Sequence, residues 1–196
     1  MLQFITAKSD KYTIAEEAQM VIEGGCQWIQ VSEQLPEGTS MKDILMELKP
    51  LCEENGVFLM VESDAELAQE MRIHGVHLKK TDIKPTEARE LLGPHAVIGI
   101  DTDSAAEILA LKGLDIDYAV LDLDRGNTID DIKQTISEVR GQGFDIHIVV
   151  KGANIDMADL NRLKQAGVSG FAMSRQILDN PEPAVATAEI LAALSL

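Results

Sequence analysis

Short apolar runs alternate with longer stretches of mixed polarity along the whole chain. The apolar runs are Leu2–Thr6, Gln27–Val31, Val57–Val61, Gly75–Leu78, Ala96–Ile100, Asp117–Leu121, Ile146–Val150 and Val168–Met173. Most are short and continuously apolar rather than alternating, which predicts parallel strands buried on both faces. The stretches between them carry a helical period. Ile14, Ala18, Val21 and Ile22 make one stripe, and Ile132, Ile136 and Val139 make another. Glycines stand where helices should stop: Gly24-Gly25, Asn55-Gly56, Gly93-Pro94, Gly113, Gly141 and Gly167. Pro50 is expected to kink or end the second helix.

Eight strand–helix units without a Ser/Pro/Gly-rich linker predict a single α/β domain over residues 1–196, a (β/α)8 TIM barrel of about 24 residues per unit. The rival is a doubly wound open sheet, which usually carries a glycine-rich turn after its first strand. Here that turn reads Thr6-Ala7-Lys8-Ser9-Asp10.

Composition narrows the partners. The 196 residues include 17 Lys+Arg and 33 Asp+Glu, a net charge of -16. A chain so acidic is not expected to bind nucleic acid or an anionic membrane surface. The longest apolar run, Val57–Val61, is too short to span a bilayer. Met1–Thr6 shows no basic stretch or cleavage site, so no leader is expected. Cys26 and Cys52 have no metal or disulfide spacing and read as buried thiols of a reducing, cytoplasmic protein. His74, His77, His95 and His147 are scattered and read as structural. Met20, Met46, Met60 and Met71 fall at core spacings and read as packing.

Barrel chemistry belongs to the loops after the C-terminal strand ends. There the chain places Ser32, Glu33 and Gln34; Glu62, Ser63 and Asp64; Lys79, Lys80, Thr81 and Asp82; Asp101, Thr102 and Asp103; Asp122, Asp124, Arg125 and Gly126; Lys151, Gly152, Ala153 and Asn154; and Ser174 and Arg175. The last two loops are the usual phosphate site of this fold. Gly152 would let the backbone approach an anion, and Ser174 would cap a short turn whose free N–H groups face a phosphate. Glu62, Asp82, Asp101, Asp103, Asp122 and Asp124 form an acidic rim. Such oxygens suit Mg²⁺ or general acid–base work. Asp64, Asp101 and Asp103 stand where helix N-caps are expected.

Several segments, in order, resemble one family. They are Gly24-Gly25-Cys26-Gln27-Trp28-Ile29-Gln30; Gly75-Val76-His77-Leu78, with Asp82 following; Val97-Ile98-Gly99; and Ala166-Gly167-Val168-Ser169-Gly170-Phe171-Ala172-Met173-Ser174. Together they are similar to thiamine phosphate synthase and its relative, the thiazole tautomerase TenI. The resemblance implies a barrel of thiamine biosynthesis. Its activity would join hydroxymethylpyrimidine pyrophosphate to thiazole phosphate with Mg²⁺ and release pyrophosphate. It also implies thiazole phosphate at Gly152, Ala153, Ser174 and Arg175, and metal at Asp82 and Ser63.

The chain departs from the family pattern on the pyrophosphate side. The family's Arg-x-Lys after the second strand is Ser32 and Gln34 here, and its Asn-Asp-Arg after the third is Glu62, Ser63 and Asp64. The Gly-Gln after the fourth is Lys79-Lys80, the Ser after the fifth is Asp101, and the tautomerase histidine falls at Asp103. The Thr-x-x-Lys of the sixth loop has no counterpart in Asp122–Thr128. The expected function is a thiamine phosphate synthase-like barrel that binds a small phosphorylated ligand. The alternatives are a diverged enzyme on another such ligand and a non-catalytic phosphate-binding barrel. Self-association into a homo-oligomer is left open.

Overall fold

The computed structural model describes residues 1–195. Its strands are β1 (Leu2–Ile5), β2 (Trp28–Val31), β3 (Phe58–Glu62), β4 (Gly75–Leu78), β5 (Val97–Thr102), β6 (Tyr118–Asp122), β7 (His147–Lys151) and β8 (Gly170–Met173). The helices between and after them are α1 (Ile14–Glu23), α2 (Met41–Asn55), α3 (Ala65–Met71), α4 (Pro85–Leu92), α5 (Ala105–Ala110), α6 (Ile129–Gly141), α7 (Met157–Gln165), α8 (Arg175–Leu178) and α9 (Pro183–Ser195). The strands pair in parallel in chain order, and β8 closes on β1 through Leu2–Phe171, Gln3–Ala172 and Phe4–Met173. The predicted barrel is therefore the observed fold. Among the described residues, no helix is long and apolar enough to cross a membrane.

Both faces of the sheet are buried, as the continuous apolar runs require. The outer face packs against the helices through residues such as Phe4, Ile29, Leu59, Val76, Ile98, Leu121 and Phe171. A smaller cluster of Met60, Tyr118, Val120, Val149 and Ala172 fills the barrel. Tyr118 fits there because β5 offers Gly99 beneath its ring. A Cβ at Gly99 would lie 2.0 Å from the tyrosine Cζ.

Three expectations need correction. The first concerns strand ends: β3, β5, β6 and β7 run one or two residues beyond the predicted limits, so Glu62, Asp101, Thr102, Asp122 and Lys151 are strand residues. Hydrophobicity stops before pairing does, because Glu62, Asp101 and Lys151 line the barrel mouth, Asp122 lies 3.8 Å from Lys151, and the Thr102 hydroxyl donates to the Val120 carbonyl. Asp101 accordingly caps no helix. Ser104 caps α5, while Asp64 does cap α3. The second concerns Pro50, which does not end α2. A proline frees the carbonyl four residues before it. Met46 and Pro50 both face solvent, where water can take that carbonyl. Ile44, Leu45, Leu48 and Cys52 hold the other side of the helix, and Gly56 ends it at φ 65°. The third is that Met46 is 51 % exposed and packs no core, whereas Met60 is fully buried.

One buried carboxylate fixes the entrance to the mouth. Glu17 of α1 is fully buried beneath the β1–α1 loop, where its Oε2 accepts the Ala7 N–H at 3.1 Å. Its Oε1 has no hydrogen-bond partner. Burial pushes the Glu17 carboxyl up to about 7, against the Ala7 N–H and the Arg175 charge, which favour the anion.

Two outcomes are expected. A group whose pKa is raised by folding contributes stability at low pH that is lost as pH climbs through the folded value. Replacing Glu17 by Gln removes that dependence. The E17Q protein should gain on the wild type between pH 5 and pH 8, by up to ~2–3 kcal/mol at the upper end, as read from denaturant midpoints across pH. Gly99→Ala should destabilise by ~1–3 kcal/mol, because its methyl displaces the Tyr118 ring in a filled barrel. Combining it with Tyr118→Leu should recover part of the loss in a double-mutant cycle.

Candidate active site

The C-terminal ends of the strands surround a cavity of about 450 Å³. Of the site residues expected from sequence, Ser32, Gln34, Glu62, Lys79, Asp101, Gly152, Ala153, Ser174 and Arg175 line it. Lys80, Asp82 and Ser63 do not. Lys80 turns away to Asp103 and to Glu107, the latter at 2.6 Å. Asp82 Oδ2 accepts the Lys79 N–H at 2.7 Å and so shapes the β4–α4 loop. Ser63 takes a left-handed conformation, φ 66°, with its hydroxyl buried and unpartnered. Among the described residues, no three His, Cys, Asp or Glu side chains gather in a group that could hold a metal. Mg²⁺ commonly takes only one or two protein carboxylates together with phosphate oxygens of a substrate; of the two residues expected to hold it, Asp82 has one oxygen taken by its own loop and Ser63 has its hydroxyl buried.

Charges at the mouth are largely met from within the chain. Lys79 bridges Glu33 and Glu62, the latter at 3.7 Å. Glu62 Oε2 also accepts the Ser32 hydroxyl at 3.2 Å and the Glu33 N–H at 2.9 Å. Arg125 donates to Asp101 at 2.7 Å and lies 3.7 Å from both Asp103 and Asp122. Lys151 is 3.8 Å from Asp122. Arg175, by contrast, has no carboxylate within 4.0 Å among the described residues, although it lines the cavity.

Asp101 is tied to the barrel floor by a chain of buried hydrogen bonds. Gln3 Nε2 donates to Gln30 Oε1 at 2.9 Å and to the Tyr118 hydroxyl at 3.1 Å. Tyr118 lies 3.3 Å from His77 Nδ1, and His77 Nε2 lies 2.9 Å from Asp101 Oδ1. The Asp101 carboxylate can only accept, so the His77 hydrogen sits on Nε2, and in the neutral ring Nδ1 is left as an acceptor for the Tyr118 hydroxyl. Burial opposes the Asp101 anion, but the His77 bond and the Arg125 charge outweigh it and hold the carboxyl below its ordinary range.

The expected phosphate end is more occupied than the sequence indicates. The Ala153 N–H donates to Asp124 Oδ2 at 2.9 Å. Gln176 clasps both loops, donating to the Gly152 carbonyl at 2.8 Å and accepting from the Ser174 N–H at 3.4 Å. The Ser174 side chain makes no capping bond, and its hydroxyl is buried without a partner. Gly152 is small for packing: a Cβ there would lie 3.2 Å from Leu123. What this end still offers is Arg175 and the backbone N–H groups of Arg175 and Gln176, which bond to no acceptor among the described residues.

Sequence reasoning named Arg125 and Lys151 as loop residues and passed over them as site residues, along with Thr6 and Gln176, and placed Asp124 only in the acidic rim. All five line the cavity. A signal existed for Lys151, since a charged residue ending an apolar run can be the last inward position of a strand. None existed for Gln176, whose role depends on the closure of β8 against β7.

Comparison with known proteins agrees with this architecture. A thiamine-phosphate synthase from Bacteroides thetaiotaomicron is 34 % identical over 97 % of this chain and 95 % of its own length. One from Bacteroides fragilis is 33 % identical, covering 97 % and 98 %. The solved structure of thiamine phosphate pyrophosphorylase from Pyrococcus furiosus superposes with a TM-score of 0.82 at 21 % identity, over 99 % of this chain and 95 % of that one, which speaks to the fold. With residues 2–177 matching the thiamine monophosphate synthase family, the chain belongs to that family.

Proposed function

We propose that this barrel binds a small phosphorylated ligand of thiamine biosynthesis, thiazole phosphate being the reference compound, and forms thiamine phosphate very slowly or not at all. One observation carries the reading: the cations of the pyrophosphate side are already paired with carboxylates, while Arg175 at the phosphate end is not.

Transfer from a pyrophosphate ester places growing negative charge on the leaving group, and fixed donors must be waiting for it. At the positions of the family's Arg and Lys this chain has Ser32 and Gln34, which carry no charge. Lys79 and Arg125 are the nearest replacements. Lys79 is spent on Glu33 and Glu62, and Arg125 on Asp101. Freeing either would strand a carboxylate at the mouth, and for Asp101 a buried one. A phosphate monoester asks for less. Arg175 and the two free N–H groups can meet it, with Lys151 on the neighbouring loop. The reading gives Mg²⁺ no step.

Two measurements on one preparation test it. Single-turnover formation of thiamine phosphate should run at least ~100-fold below the ~1 s⁻¹ lower edge of ordinary enzymes, since the loss of one donor to developing charge costs ~3–4 kcal/mol. Turnover at ~1–10³ s⁻¹ would refute the reading and give Lys79 or Arg125 the missing role. Thiazole phosphate should bind by calorimetry, with or without Mg²⁺. Arg175→Ala should weaken it about tenfold or more, the value of one charge-assisted hydrogen bond. Equal affinity in the two proteins would reject the phosphate end.

A further inference from the structure

The mouth has an electrical asymmetry beyond its phosphate end. Glu62 is 8 % exposed and lines the cavity. Its Oε2 is held by the Ser32 hydroxyl and the Glu33 N–H, with Lys79 at 3.7 Å. Its Oε1 accepts no hydrogen bond among the described residues. Oε1 is not fully buried but opens into the cavity, where a ligand donor can take it from solvent. Glu33 and Glu62 share the single ammonium of Lys79, so this side of the mouth keeps one negative charge in excess. Asp101 offers no comparable opening, because His77 and Arg125 already hold both its oxygens.

On the other side Arg175 has no carboxylate within 4.0 Å among the described residues, while Asp124 is held by the Ala153 N–H. Arg175 follows β8, and Glu62 ends β3, so in the closed ring β1 and β2 lie between them. The cavity therefore runs from a guanidinium without a direct ion pair to a carboxylate oxygen without a hydrogen bond, among the described residues. From this geometry we infer that the ligand is a phosphate monoester that also carries a protonated nitrogen with N–H to donate: phosphate at Arg175, ammonium or amidinium at Glu62 Oε1. The inference rests on the phosphate reading above and adds the chemical class of the ligand's other end. A phosphate ester without such a nitrogen leaves Glu62 unpaired and gains nothing from that side.

The test uses ω-aminoalkyl phosphates with chains of two to six carbons, each titrated calorimetrically against the alkyl phosphate of the same length. At least one aminoalkyl phosphate should bind tenfold or more tightly than its alkyl counterpart. In a Glu62→Gln protein, checked for folding by thermal melting, that advantage should shrink below threefold. Lys79→Met removes the competing ammonium and should widen it, so a Glu62 variant that fails to fold leaves a second variant to decide. An advantage below threefold at every length, or one that survives Glu62→Gln, overturns the inference. The phosphate reading fails separately, if alkyl phosphates bind no better than the matching alcohols. Amino alcohols against plain alcohols then judge the Glu62 end alone: a preference upholds it, and none overturns it.

Discussion

Asp101 carries a charge that has been taken out of water, and much of the mouth is arranged around meeting it. An isolated carboxylate with 5 % exposure would be strongly disfavoured. His77 and Arg125 supply the compensation from opposite directions, one from inside the barrel and one from the loop above. The first contact reaches down through Tyr118 to Gln3 and Gln30, so the polar chain crosses from β1 and β2 to β6. The second pins the short 3-10 turn after β6, where Asp124 goes on to hold the Ala153 N–H. A single buried anion thus links the barrel floor to the loops after β6 and β7. Gly99 belongs to the same arrangement, since only its missing side chain lets the Tyr118 ring lie where its hydroxyl reaches His77.

Family membership and site chemistry diverge at this point. The barrel and its order of strands agree with the family, while residues at the mouth depart from the pattern expected of it. Where the family pattern has two cations to grip a pyrophosphate, this chain has neutral residues, and the cations it does have are tied to its own carboxylates. Fold and function are separable in this way because the barrel's stability lies in its strand pairing and its two apolar layers, while its chemistry lies on loops that tolerate substitution. Exposed pairs such as Lys80 with Glu107 contribute little to stability. Those facing the cavity matter more for what can enter it.

Several site residues were legible in the sequence because fold dictates location. Once the eight runs are read as barrel strands, the residues following each run must ring one end. That reasoning brought Ser32, Gln34, Glu62, Lys79, Asp101, Gly152, Ala153, Ser174 and Arg175 to one cavity. It misplaced Lys80, Asp82 and Ser63, because a loop position fixes where a residue begins and not which way its side chain turns. Lys80 finds Asp103 and Glu107 outside the mouth, and the Asp82 carboxylate is consumed by its own loop.

The sequence by itself determined the barrel. Runs buried on both faces, helical stripes between them and glycine stops leave little else that buries the apolar surface. Only the tertiary structure decided which charges are spent. Ion pairs such as Lys79 with Glu62 and Arg125 with Asp101 join residues far apart in the chain and depend on strand register and loop direction. No local pattern of residues encodes these. For the same reason the unpaired Arg175 and the open oxygen of Glu62 emerge only when the ring closes. Charge compensation is a property of distances, and here those distances are set by the closed sheet.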